Sequence, residues 1–368
     1  MVAISRDWNM KDRNKKILKY TVSLAVAAIL LYFSFKGVKW TDFINGLQEC
    51  RWGFVVLSMA VSVAAFWFRG LRWRQILLPI DSATTRLTAF NAVNIGYIAN
   101  FIFPRIGEFV RCGVISARSA AVHRGESLEN AADGGSHVAG CQGEKEGSAP
   151  ERNVATYDKV LGTVVLERGW DLVVMLLVAV ALLVFRWEKF GSFFVEKMWR
   201  PVEDSLNFSV WWVVLALVLA LAVCCLAVWK FRDRSRVCSK IISLFKGVLE
   251  GFTSAFRMKG KLMFILYTVL IWVMYWPMAV CTMLAVPDLG GLNAVDALFL
   301  MVAGSFGWLV PVPGGFGSFH FIVSLALSTI YGIPFGLGII FATLSHESQA
   351  VTMALCGGIS WFYETFRK

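Results

Sequence analysis

A succession of apolar runs, separated by polar or basic stretches, most constrains what this chain can fold into. They cover residues 17–35, 54–68, 87–103, 160–185, 211–229, 262–286, 292–310, 316–331 and 335–362. Runs of this length and number in 368 residues describe a chain that lives in a bilayer, where no water is present to satisfy backbone N–H and C=O groups. Helices satisfy those groups within a single segment. The composition agrees, at 57% hydrophobic and 17% charged, with a mean hydropathy of +0.62. The expected fold is an all-α polytopic membrane protein with about six full spans plus two broken or re-entrant helical hairpins.

Charge sets the topology. A formal charge of +11 suggests nucleic acid in a soluble domain, but here the bases flank apolar runs, where the positive-inside rule accounts for them, and no nucleic-acid partner is expected. Arg6, Lys11, Arg13, Lys15, Lys16 and Lys19 precede the first run, and no cleavable signal pattern follows them. RGLRWR at 69–74 reads as a return to the cytoplasm, as do the basic residues from Lys230 to Lys261 and the closing Arg367 and Lys368. Both termini are therefore expected in the cytoplasm. Parity then forbids 87–103 from being a single ordinary span. It is re-entrant, or paired with a second crossing through 109–115. The organisation reads as a basic N-terminus (1–16), a first membrane half (17–115), a flexible Gly/Ala/Ser-rich loop insertion (116–156) and a second membrane part (157–368).

Two interruptions stand out, NFIFPRIGEF at 100–109 and GWLVPVPGGFGSF at 307–319. Each has an aromatic approach, a proline and then glycine. The second lies within a broken helix pair at 304–320, where neither flanking run is comfortably long enough to span alone. Paired broken segments point to a transporter-type site near the midplane, and an inverted pseudo-repeat is one organisation that would produce them. Pro313, Gly314, Gly315 and Gly317 permit close backbone approach, and the helix opening after them offers free N–H groups to an anion.

Charged residues within apolar surroundings form two groups. Arg105, Glu108 and Arg111 are spaced by three, which on a helix would place them on one side. Glu167, Arg168 and Asp171 lie early in a long run. Charges at membrane depth are costly and face a bundle interior or cavity, so both groups are candidate substrate-binding residues. His320, His346 and Glu347 join them. HESQA at 346–350 resembles the start of HExxH but has Ala350 where the second histidine belongs. His123, His137 and Cys141 match no metal spacing, and the eight cysteines are scattered. No metal, cofactor or catalytic residue is therefore expected.

Together PRIGEFVR (104–111), GTVVLERGWDL (162–172), PVPGGFGSFH (311–320) and the helix around SHESQ (345–349) resemble the flippase-like membrane domain of lysylphosphatidylglycerol synthases, the multiple peptide resistance factors. The resemblance covers nearly the whole chain apart from the basic N-terminus and residues 116–156. It implies movement of a phospholipid or anionic lipid-linked head group between leaflets, with Arg105, Glu108, Arg111, Glu167, Arg168, Asp171 and the glycine-rich break at the site. The aminoacyl-transferase domain of those synthases is not in this sequence, so lysine transfer is not implied. A membrane enzyme acting on a lipid phosphate and a scaffold in envelope synthesis are the alternative readings. The expected partner is a membrane lipid; a homo-oligomer and envelope-synthesis proteins are left open.

Overall fold

A computed structural model describes residues 31–36, 38–103, 105–133, 155–200, 258–310 and 312–367, with scattered positions in 21–29 and 212–253. Most of the fifth apolar run (211–229) and of the basic loop after it, much of the first run (17–35) and residues 134–154 lie outside the described residues. The described residues are all helical in their regular structure: α1 (Trp40–Gln48), α2 (Trp52–Leu77), α3 (Arg86–Ile102), α4 (Gly107–Asp133), α5 (Tyr157–Phe185), α6 (Trp187–Phe193), α7 (Lys261–Ala285), α8 (Ala294–Leu309), α9 (Ser318–Tyr331) and α10 (Phe335–Phe366). The chain is an all-α polytopic membrane protein. Among the described residues, α2, α5, α7 and the stretch Pro313–Tyr331 are long and apolar enough to cross a membrane, and α8 is a shorter apolar helix. Pro313–Tyr331 reaches that length only by counting the 3-10 turn Pro313–Gly315; α9 itself has 14 residues. Apolar side chains of α5 such as Leu177, Val184 and Phe185 are exposed, as expected where the solvent is hydrocarbon.

α2 and α7 lie antiparallel along their lengths. Arg51 N–H donates to the Ala285 carbonyl at one end, Ser58 Oγ to the Met278 carbonyl further along, and Phe68 stacks near Tyr267 at the other. α10, 32 residues long, runs against both interrupted segments. Its Gly357 lets the α3 backbone at Asn94 approach, its Glu364 accepts from Asn91 Nδ2 at 2.7 Å, and its Gly338 meets Ser324 of α9. Two cores result. One gathers Trp73, Leu77, Val93, Cys112, Val160 and Val164 from α2–α5. The other gathers Leu300, Ala303, Phe319, Val323, Leu327 and Phe341 around the broken pair.

α3 and α4 pack together as a helical hairpin interrupted between Ile102 and Gly107. Thr85 Oγ1 caps α3 by accepting from Thr88 N–H. α4 is opened by a side chain from the other helix, as Asn100 Oδ1 accepts from Gly107 N–H at 2.7 Å. Gly107 sits on the Gly96 carbonyl, and a Cβ there would have no room. The expected loop 116–156 is corrected in its first part, since α4 continues to Asp133. SARSAAVHR is poor in large apolar residues but rich in helix formers, and tertiary support is needed at only one side. Ser119 supplies some of it by accepting from Ala155 N–H at 3.0 Å.

Candidate functional site

The first interruption carries a correction. Arg105 does not share a helical face with Glu108 and Arg111. It precedes α4, takes the left-handed conformation at φ 58°, and donates from Nη2 to the Leu309 carbonyl at 2.8 Å. That carbonyl is one of the free acceptors at the C-terminus of α8, so Arg105 caps the other broken pair. Phe101 packs edge-on to Phe316, with ring centroids 6.2 Å apart, and also covers Gly314. The two breaks therefore meet in space.

The second interruption is shaped by three glycines in left-handed conformations, Gly314 (φ 58°), Gly315 (φ 77°) and Gly317 (φ 81°). This backbone is open to glycine and strained for any other residue. Ser318 Oγ ties the turn down by donating within reach of the Gly307 carbonyl (2.8 Å) and the Gly315 carbonyl (3.0 Å). Beside it, His320 of α9 meets His346 and Glu347 of α10. His346 Nε2 is 2.8 Å from the Gly314 carbonyl, and its Nδ1 is 3.0 Å from Glu347 Oε1. His320 Nε2 is 3.5 Å from the same Oε1. Trp308 stacks on His346, while Phe316 and Phe319 close its other sides.

One helical turn along α4 from the first break lies a charge network built from three helices. Glu167 is fully buried on α5. Arg69 and Arg72 of α2 reach its Oε1 at 3.3 and 3.1 Å, and Arg111 of α4 reaches its Oε2 at 2.7 Å. Asp171, one turn further along α5, takes Arg69 at 3.0 Å and Arg72 at 2.6 Å. Tyr275 of α7 accepts from Arg69 Nη1 at 2.9 Å. Arg168 leaves the cluster core to pair with Glu108 at 2.9 Å, at a half-exposed edge. Trp73 supplies a flat support beneath the Arg111 guanidinium, 4.6 Å from the ring centre, and is fixed by donating to Thr163 Oγ1 at 3.0 Å.

The network holds four guanidinium groups, on Arg69, Arg72, Arg111 and Arg168, against three carboxylates, on Glu108, Glu167 and Asp171. Among the described residues Arg69 Nε, Arg72 Nε and Nη1, Arg111 Nε and Nη2 and Arg168 Nε have no hydrogen-bond partner, and neither do Glu108 Oε2, Glu167 Oε2 and Asp171 Oδ1, although the last two lie within ion-pair distance of Arg111 and Arg72. The network carries one positive charge in excess, and guanidinium forks suit carboxylate and phosphate oxygens. Glu167 is ten residues into α5, about 15 Å along a helix rising about 1.5 Å per residue.

Glu108, Arg111, Glu167, Arg168 and Asp171 are thus brought together, while Arg105, Pro313, the glycines, His320, His346 and Glu347 gather at the meeting of the breaks. Arg69 and Arg72 are not anticipated by the sequence reading, which assigns RGLRWR to the cytoplasmic surface. Both are buried, at 7% and 0% exposure. The available signal is their spacing of three inside an apolar helix, a shared face that a surface cluster does not need. Arg74, off that face, donates instead to the Thr84 carbonyl.

A family model for the lysylphosphatidylglycerol synthase TM region matches residues 20–127 and 150–357. The chain belongs to this family. It is a multi-pass membrane protein of lipid or envelope metabolism, and both the charge network and the broken pair fall within the matched residues. Between the two matched stretches, 128–149 is unmatched and begins close to where α4 ends. No curated protein and no solved structure matches the chain.

Proposed function

We propose that this member of the lysylphosphatidylglycerol synthase TM region family is a lipid translocase. It moves a phospholipid, or an anionic lipid-linked head group, between the leaflets of a bacterial inner membrane, with both termini in the cytoplasm. The observation that carries this reading is the buried network in which Arg69, Arg72 and Arg111 keep unmatched N–H donors around Glu167 and Asp171. A charge at membrane depth costs several kcal/mol, so a chain retains such a group where it meets a charged substrate.

In this mechanism the arginines receive the head-group phosphate. Glu167 and Asp171 hold the guanidinium groups in place between transport events, and they exchange part of that contact for phosphate when lipid arrives. Arg168 and Glu108 form the half-exposed pair at the edge, where separation admits a head group at low cost. The broken hairpins supply irregular backbone that can rearrange without breaking a long helix, and Arg105 couples them through the Leu309 carbonyl.

The test is reconstitution of the full chain into vesicles carrying fluorescent phosphatidylglycerol or a neutral fluorescent lipid, with transbilayer movement read by quenching from outside. Movement of the anionic lipid by wild type, reduced about tenfold or more in Arg72→Lys and Arg111→Lys, is expected, because lysine keeps the charge and loses the planar fork. Folded wild-type protein that moves neither probe refutes the proposal.

A further inference from the structure

Apart from lipid movement, we propose that His320, His346 and Glu347 form a binding site for a divalent transition metal, with Zn²⁺ the ion that suits their donors. The argument begins at His346 Nε2, 2.8 Å from the Gly314 carbonyl oxygen. A carbonyl only accepts, so Nε2 carries a proton and Nδ1 is the nitrogen left to bind an ion. Nδ1 faces Glu347 Oε1 at 3.0 Å. A metal ion and a shared proton both hold that separation, and the third residue distinguishes them. Among the described residues no Lys or Arg pairs with Glu347; its partners are the two histidines.

His320 completes the group. Its Nε2 lies 3.5 Å from the same Oε1, and one donor atom from each of the three residues falls within 4.8 Å of the others. A tetrahedral Zn²⁺ with bonds of about 2.0–2.1 Å holds its ligands about 3.3–3.4 Å apart, so the two closer separations already match the ion. His320 is 2% exposed and its Nδ1 is buried without a partner. The ring's polar contact among the described residues therefore runs through Nε2, which points at Glu347 Oε1 and is the nitrogen placed to bind an ion. Donation of the second ring N–H to a backbone carbonyl, as from His346 to Gly314, is the usual support for a metal-ligating histidine. Two imidazoles and one carboxylate select Zn²⁺ or a neighbouring transition ion over Mg²⁺ or Ca²⁺.

HESQA lacks the histidine that HExxH places one turn along the same helix. Here the second histidine comes from α9, across the glycine break, through tertiary packing. A bound ion would clamp α9 to α10 and, through His346, hold the Gly314 carbonyl in its left-handed turn. Three protein ligands leave a fourth position for water or an anionic oxygen, and Glu347, 38% exposed, marks the open side.

The purified full chain, stripped with chelator and equilibrated with Zn²⁺, is expected to retain about one ion per chain. Loading with Co²⁺ is expected to give the intense visible bands of a tetrahedral ion. His320→Asn and Glu347→Gln should weaken binding by more than the roughly 10- to 100-fold that loss of a supporting hydrogen bond costs at metal sites. Where a variant does not fold, Cu²⁺-loaded wild type is examined by electron paramagnetic resonance, and histidine nitrogen coupling is expected. Folded wild type that binds no stoichiometric metal overturns the proposal and leaves a proton shared between His346 and Glu347. Equal binding by folded variants, or a spectrum without histidine coupling, overturns it by placing the metal elsewhere.

Discussion

Replacing Glu167 with Gln tests the charge network most directly. Glu167 is fully buried and its two oxygens face three guanidinium groups at 2.7–3.3 Å. Gln keeps the volume, removes the charge and turns one oxygen into an NH₂ group that confronts an arginine donor. Removing one partner of a buried ion pair costs about 3–5 kcal/mol, chiefly because the remaining charge stays buried without compensation. With an unfolding entropy of about 2.1 cal/mol/K per residue, a chain of this length loses about 1.3 °C per kcal/mol, so Tm should fall by about 4–6 °C. Glu108→Gln is the internal control. Its partner Arg168 is 39% exposed, and an ion pair of that exposure contributes about 1 kcal/mol or less, near 1 °C. The assay is thermal unfolding of both variants in one detergent, followed by tryptophan fluorescence. A Glu167→Gln variant that melts within about 1 °C of Glu108→Gln refutes the burial argument.

The other predictions concern the breaks and their supports. Arg105→Gly should be more stable than Arg105→Ala by about 1 kcal/mol, because both lose the bond to the Leu309 carbonyl but only glycine is relieved at φ 58°; equal melting temperatures would contradict the left-handed assignment. Gly107→Ala should cost about 1–3 kcal/mol by forcing α4 off the Gly96 carbonyl. Gly113→Ala on the same helix, with open space around it, should be neutral or stabilising by up to about 1 kcal/mol, and denaturation of the pair in parallel distinguishes contact from propensity. Trp73→Phe should cost about 1–3 kcal/mol by leaving Thr163 without its indole donor and narrowing the support under Arg111; an unchanged Tm would show that the indole N–H does not hold the network.

The membrane class, the helical content and both interruptions were legible along the chain because each is a local property. Run length against bilayer thickness admits few alternatives, and proline followed by glycine stops a helix wherever it occurs. The acidic half of the network was legible for the same reason, since Glu167 and Asp171 stand out against an apolar run. Misreadings arose where one residue type has two physical explanations. RGLRWR satisfies the positive-inside rule and also lines a buried network, and only the partner helix α5 distinguishes Arg69 and Arg72 from Arg74. Spacing by three joined Arg105 to Glu108 on an assumed helix, but α4 begins at Gly107 because Asn100 from α3 caps it there.

The sequence alone therefore determined that this chain is a bundle of membrane helices with two weak points and buried charge. Hydrophobicity, helix-breaking residues and the cost of charge in hydrocarbon act residue by residue, without reference to distant segments. Tertiary structure decided which charges face which. It put Glu167 among three arginines from two other helices, let Arg105 close the end of α8, and set His320 beside His346 and Glu347 across a break. Such pairings depend on helix rotation and register, which close glycine contacts at Gly96, Gly107, Gly338 and Gly357 fix in space and which no spacing along one chain segment encodes.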